Sequence, residues 1–202
     1  MPGNEKDRGE SAMTYSADAI AALGGHGVDV VDALRRRRMH RDFTDQPVPL
    51  PVLSYLAWAA GRAQMARPGG RVIVVVNDPG LMRTARDVLP GFTNNAPAML
   101  VIATNLEGME KAIGRRGPLH TSRLDSGAAA ACVALAAQEV GMGVCTVTSW
   151  SDTAVRALLD LPAHVRPDVT VAVGYLPDNP RPGQRGSHGP AVYLNSFGRT
   201  LS

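Results

Sequence analysis

Asp125-Ser-Gly-Ala-Ala-Ala-Ala-Cys-Val-Ala-Leu-Ala-Ala-Gln-Glu-Val-Gly-Met-Gly-Val-Cys145 is the stretch that decides how this chain folds. Ser126 to Val140 reads as a helix that is apolar all round, with Gln138 and Glu139 as polar residues near its end. A helix with no wet face must be covered on every side. Its small residues, Gly127 to Ala131 and then Ala134, Ala136 and Ala137, allow a second helix to approach closely. The cover comes either from a monomer core or from a symmetric helix-on-helix contact. A domain of 202 residues with a long tail offers few elements to surround such a helix, which points to a homodimer through Gly127 to Ala137. Gly141-Met142-Gly143 then breaks the helix before a strand at Val144 to Thr148. That Gly-x-Gly precedes a strand, so it is a helix stop and not a dinucleotide-binding turn.

Working outward, the flanking segments alternate between helix and strand. Arg71 to Asn77, Ala96 to Thr104 and Pro167 to Tyr175 are apolar runs of strand length, expected to be buried on both faces. Leu50 to Arg62 carries Leu53, Leu56, Ala57 and Ala60 on one helical face. Asp78 and Pro79 are suited to the cap and first position of a further helix. Asn105 to Thr121 is a polar, glycine-containing connection with a short helix at Glu107 to Ile113, and Thr153 to Leu159 is helical. No strict strand–helix–strand rhythm runs through the chain, so the expected architecture is α+β, a mixed central sheet flanked by helices. Residues 1–27 read as a mobile arm with a short helix near Ala17 to Leu23, residues 28–176 as the core domain, and residues 177–202 as a Pro- and Gly-rich C-terminal arm.

Composition narrows the function. Apolar residues make up 45% and charged residues 19%, ordinary for a globular protein. The net charge is +3 and aromatic content only 4%, which argues against a nucleic-acid surface with stacking side chains. Cys132 and Cys145 belong to no CxxC pair, and the five histidines lack metal-ligand spacing. No apolar run reaches the roughly 20 residues of a bilayer span, and Ala17 to Leu23 makes no secretory signal, so the expected compartment is the cytoplasm.

Positive charge is concentrated in Leu34-Arg-Arg-Arg-Arg-Met-His-Arg-Asp-Phe43. Cations suit a helix C-terminus, but that accounts for one or two arginines and not for Arg35, Arg36, Arg37, Arg38 and Arg41 together. Guanidinium forks match phosphate oxygens, so the stretch reads as an anion site.

These segments resemble the nitroreductase-like flavoproteins. Arg37-Arg38-x-x-Arg41-x-Phe43 followed by Thr44-Asp-Gln-Pro-Val48 is similar to their opening motif, and Asp125 to Cys145 to their central helix. Leu158-Leu159, Leu161-Pro162 and Gly174-Tyr175 follow in the family's order. The likeness covers Val28 to Gly174. It implies FMN, with its phosphate and ribityl chain held at Arg37, Arg38, Met39 and Arg41, and NAD(P)H as co-substrate. Met39 stands where the family has a hydrogen-bonding serine, so that contact is lost or replaced. Ser149 and Trp150 fall where the family's loop lies against the flavin ring and a backbone amide donates to N5; Trp150 also reads as a hydrophobe capping the core. Arg185 corresponds to a second phosphate contact, with Arg181 as the competing assignment. In Arg62 to Gly70 the family's polar ring contacts are missing, and Gln64 alone can stand in.

The resemblance further implies a homodimer with flavin sites at its interface, C-terminal arms that embrace the partner subunit, and ping-pong hydride transfer through flavin N5 to a nitro compound, quinone or related acceptor. The sequence contains no Ser/His/Asp or paired-carboxylate motif, as expected where a cofactor carries the chemistry. Two other readings stay open: an FMN-dependent tailoring oxidase of a peptide-derived natural product, and a non-catalytic flavin-binding or scaffold relative.

Overall fold

The inner strands are continuous apolar runs because helices cover both faces of the sheet; the edge strand at Arg71–Val76, expected to be buried, is only half-buried from Arg71 to Val75. A computed structural model describes residues 14–92, 94–180 and 191–199. Its helices are α1 (Ala17–Ala22), α2 (Val30–Arg36), α3 (Leu50–Gly61), α4 (Pro79–Val88), α5 (Leu106–Ile113), α6 (Ser122–Glu139) and α7 (Asp152–Leu158). The strands are β1 (Arg71–Val76), β2 (Ala98–Asn105), β3 (Met142–Val147) and β4 (Val165–Tyr175), in spatial order β1-β2-β4-β3. All three pairings are antiparallel. The mixed character of the sheet comes from one parallel bridge, Met39 to Val144, on the outer edge of β3.

Side chains alternate across a strand, and the two faces divide accordingly. Leu100, Ile102, Val144, Val171 and Val173 pack with Leu53 and Leu56 of α3 and Val133 and Ala137 of α6. Met99, Val101, Cys145, Val147 and Ala172 pack instead with Met82 and Ala85 of α4 and Val155 of α7. Asp78 caps α4 by accepting the Leu81 N–H at 2.8 Å, with Pro79 in the first turn. Among the described residues no helix is long and apolar enough to cross a membrane.

α6 begins a turn earlier than the sequence suggested. A π-helical turn at Gly117–Thr121 leads directly into Ser122, so Ser122, Asp125 and Ser126 lie inside the helix and are buried. The expected all-round cover is not complete within one chain. Leu124, Gly127 and Ala131 are exposed on one helical stripe, while Ala129, Val133 and Ala137 on the other side are buried.

Residues 14–27, expected within a mobile arm, lie against the core. The Tyr15 ring meets Tyr55 at 5.3 Å and Trp58 at 5.4 Å between centroids. Glu139 at the end of α6 accepts the Gly27 and Val28 N–H groups at 2.8 and 2.7 Å. Residues 1–13 of that arm lie outside the described residues. In the tail, Val192, Tyr193, Leu194 and Phe197 are exposed. They form a tight turn in which the Leu194 N–H donates to the Arg199 carbonyl at 2.8 Å.

Candidate cofactor site

The arginine-rich segment is fixed by its backbone. Asp29 caps α2 by accepting the Asp32 N–H at 2.9 Å, and the helix stops at Arg37, which turns to an extended conformation. The chain then runs beside β3, where the His40 N–H donates to the Val144 carbonyl at 2.9 Å. At Phe43 the Asn95 side chain accepts the backbone N–H at 2.8 Å and donates to the carbonyl at 2.7 Å. The Thr44 N–H finishes the attachment on the Tyr175 carbonyl at 2.9 Å.

Phe43 itself packs over paired glycines. Gly143 and Gly174 face each other across β3 and β4. A Cβ on Gly174 would lie 2.7 Å from Pro97 Cδ and 2.9 Å from Phe43 Cδ1. One on Gly143 would press into Leu176 and come within 3.3 Å of Phe43 Cε1. The two glycines of the expected helix stop therefore differ in role. Gly141, at φ +67°, ends α6, whereas Gly143 makes room for Phe43 and Leu176.

The five arginines divide the same way. Arg38 Nη1 donates to the Arg35 and Arg37 carbonyls, both at 2.7 Å, and so caps the end of α2. Arg35 and Arg36 reach Asp32 at 3.8 and 3.6 Å on the surface. Arg37 is half-buried and lines a cleft of about 340 Å³ along α6, together with Ser126, Gly127, Ala131, Thr148 and Asp168. Arg41 is exposed and does not line that cleft; its charge acts on Cys145, whose thiol burial pushes up and the guanidinium partly restores. Met39 is half-buried and bridges to Val144.

Asp168 would oppose an anion in the cleft if it stood alone, but it is neutralised from behind. Arg166 Nε donates to Asp168 at 2.7 Å, and the Ser126 and Thr104 hydroxyls also donate to its carboxylate. Arg166 reaches further, to the Pro118 carbonyl at 2.6 Å and Ser122 Oγ at 2.9 Å, tying the π-helical turn and α6 to β4. This buried network was missed in the sequence. Its signal was a pair of opposite charges two apart, and hence on one face, in an otherwise apolar strand.

Of the loop after β3, Thr148 lines the cleft, whereas the expected ring neighbours Ser149 and Trp150, like Gln64, are not among its described lining residues. Ser149 is exposed, and its carbonyl accepts the Gly91 N–H at 2.9 Å. Trp150 is half-buried, donates its indole N–H to Asp152 at 3.0 Å and packs against both core clusters, which is the capping role. Among the described residues neither the Ser149 nor the Trp150 backbone N–H has a hydrogen-bond partner. Gln64 is exposed; its carbonyl accepts from Arg71 at 2.6 Å, and Arg71 also bonds the Ala60 carbonyl at 2.7 Å near the end of α3. The described lining of the cleft holds donors of the kind FMN needs, the Arg37 and Arg123 guanidiniums and the Thr148 hydroxyl, beside Asp168, a carboxylate already paired with Arg166. Arg181 and Arg185 lie outside the described residues.

The model of the nitroreductase family matches residues 71–175, just over half of the chain. The chain belongs to the nitroreductase family. Its fold is similar to that of an FMN-dependent nitroreductase from Clostridium difficile, at 22% identity and a TM-score of 0.66, over 83% of this chain and 100% of that one. The NfrA1 nitroreductase from Bacillus subtilis is similar at 21% identity and a TM-score of 0.66, over 84% of this chain and 76% of that one. The hypothetical oxidoreductase YcnD of the same organism is similar at 20% identity and a TM-score of 0.70, over 86% of this chain and 75% of that one. At these identities the likeness speaks for the fold. The matched region begins at β1, so the arginine segment on which the family's opening motif was recognised lies outside it.

Proposed function

We propose that this nitroreductase-family protein is an FMN-dependent oxidoreductase whose flavin occupies the cleft along α6, between Arg37 and the loop at 148–150. The observation that carries this reading is the placing of Arg37 and Thr148 in one cleft, with unpaired amide N–H groups next along the chain at Ser149 and Trp150. Bound there, FMN supplies the redox chemistry, accepting hydride from NAD(P)H and reducing a nitro compound, quinone or related acceptor. Arg37 would hold the phosphate, with Arg41 and Arg185 brought to it when the site is complete. A free amide of Ser149 or Trp150 would donate to the ring at N5, the position the family's loop serves. Asp168, already paired with Arg166, would line the cleft without repelling the phosphate.

The cleft opens on the uncovered stripe Leu124–Gly127–Ala131 of α6, which supports a homodimer with the site shared between subunits. The exposed apolar residues Val192 to Leu194 support an exchanged C-terminal arm. An added strand gains main-chain hydrogen bonds at an open sheet edge. β1 offers such an edge, since that of β3 is already met by Met39 and His40. The proposed compartment remains the cytoplasm. Met39 and the absence of the family's polar ring contacts from the loop at 62–70 favour an acceptor other than a simple nitroaromatic, and so keep the tailoring oxidase as the second reading.

The test is the absorbance of the purified protein. Flavin bands bleached by NAD(P)H support the first reading, bands that NAD(P)H leaves unchanged the second, and a colourless protein that takes up no added FMN overturns both. For the phosphate contacts, each charge-assisted hydrogen bond is worth roughly 1.5–3 kcal/mol, or about tenfold or more in affinity. An Arg37→Ala/Arg41→Ala protein that retains flavin through dialysis as well as wild type would refute the assignment.

A further inference from the structure

A second cavity, of about 320 Å³, lies on the α4 side of the sheet and shares no lining residue with the cleft along α6. Its apolar wall includes Pro47, Met82 and Pro97, and its polar lining is Arg83, Arg86, Asn77, Asn95 and Asp45. Arg83 and Arg86 are three apart on α4 and so share a face. Arg86 is anchored, with Nη2 donating to the Asn95 and Ala96 carbonyls at 3.2 and 2.9 Å. The Arg83 side chain makes no hydrogen bond or ion pair among the described residues. Among the described lining residues two guanidiniums stand against one carboxylate and leave it net positive, and neither arginine pairs with Asp45.

We propose that this cavity is a second binding site, for a small monocarboxylate with a compact apolar body. The carboxylate docks on Arg83, whose planar fork matches its two oxygens, with the anchored positive charge of Arg86 beside it. The body packs on Pro47, Met82 and Pro97, in the usual pattern of an apolar pocket with a few convergent polar groups. Asp45 sets the charge limit: it tolerates a single negative charge and works against a dianion such as phosphate. The occupant also touches Asn95, the residue that clamps Phe43. The site does not depend on FMN occupying the α6 cleft.

The experiment titrates 4-fluorobenzoate into the full chain, followed by fluorine NMR and calorimetry, with benzyl alcohol and inorganic phosphate as comparators. Saturable one-to-one binding of 4-fluorobenzoate is expected, with neither comparator matching it. Arg83→Gln should weaken it roughly tenfold or more, the worth of one charge-assisted bond, and should leave the unliganded fold unchanged because Arg83 holds nothing else. Asp45→Asn should bring phosphate binding up. No saturation at millimolar 4-fluorobenzoate overturns the proposal. So does binding that survives Arg83→Gln but is lost in Arg37→Ala, since that places the probe in the α6 cleft.

Discussion

Asn95 holds Phe43 by both of its backbone polar groups, accepting its N–H at 2.8 Å and donating to its carbonyl at 2.7 Å. This relationship links a loop on one side of the sheet to the segment that carries Arg37 and Arg41. Phe43 is buried, so its N–H and C=O have no water to turn to if the clamp is removed.

Asn95→Leu should therefore cost about 2–4 kcal/mol, from two net hydrogen bonds at about 1 kcal/mol each plus the desolvation of groups left unpaired. Urea denaturation measures the loss, and a fluorescence titration with FMN should show weaker binding as the arginine segment loosens. A stability change under about 0.5 kcal/mol would show that Phe43 is held by packing alone.

Much of this arrangement was legible in the sequence, and the remainder was not for identifiable reasons. β2 was readable because both its faces are covered, so Met99 to Ala103 run apolar without a break; Val72 to Val76 run apolar too, although as an edge strand β1 is only half-buried over Val72 to Val75. Asp78-Pro79 marked the start of α4 because cap chemistry is local. Asn95 gave no signal, since the asparagine pair in Thr93-Asn-Asn-Ala96 reads only as a loop, and its partner is 52 residues away. The start of α6 was misplaced because the π-helical turn supplies a cap-free entry that no capping motif announces. The arginine run was recognised as too much charge for a helix end. Its division into Arg38 on carbonyls and Arg37 on the cleft depends on where the backbone turns after Arg36, and spacing alone does not fix that.

The Arg166–Asp168 pair gives a charge-specific prediction. Both side chains are close to fully buried, at 10% and 2% exposed. Removing one partner of a buried pair leaves the other uncompensated and typically costs about 3–5 kcal/mol. Asp168→Asn, which keeps the shape, should lose stability in that range. The double change Arg166→Met/Asp168→Leu should recover much of it, because no buried charge then remains. If the double variant is as unstable as the single one, the network acts through hydrogen bonds to Pro118 and Ser122 and not through its charges.

His40 makes stability depend on pH. Its ring is buried with Nδ1 unpartnered, and burial, followed by the Arg38 guanidinium, holds its pKa below the ordinary 6.5. The folded state therefore keeps the imidazole neutral while the unfolded chain protonates it at its ordinary value. In the interval from 6.5 down to the lowered folded value the unfolded state binds more protons, so stability falls as the pH falls through it. Above that interval His40 contributes no slope. Denaturation curves should show wild type losing stability as the pH falls below 6.5. His40→Gln should lose less over the same interval, the other histidines being common to both. Parallel pH profiles for the two proteins would place the sensitivity elsewhere.

The uncovered stripe of α6 separates a dimer contact from a core contact at neighbouring alanines. Ala130 is only 5% exposed and belongs to the cluster shared with α3, so bulk there would disrupt the chain's own core. Ala131 is exposed beside Gly127, and Leu124 on the same stripe is 57% exposed, so bulk at 131 spares the chain's own core and meets the partner subunit and the flavin cleft that Ala131 also lines. In a twofold interface the substitution occurs twice. Overpacking costs typically 1–3 kcal/mol per site, so Ala131→Trp should weaken the dimer by about 2–6 kcal/mol, roughly 30-fold or more in dissociation constant. Its circular dichroism should remain that of wild type. Sedimentation at micromolar concentration should then find wild type dimeric and Ala131→Trp largely monomeric, with flavin lost alongside the partner. A wild-type monomer, or an Ala131→Trp protein that dimerises as tightly as wild type, would mean that this stripe is not the contact.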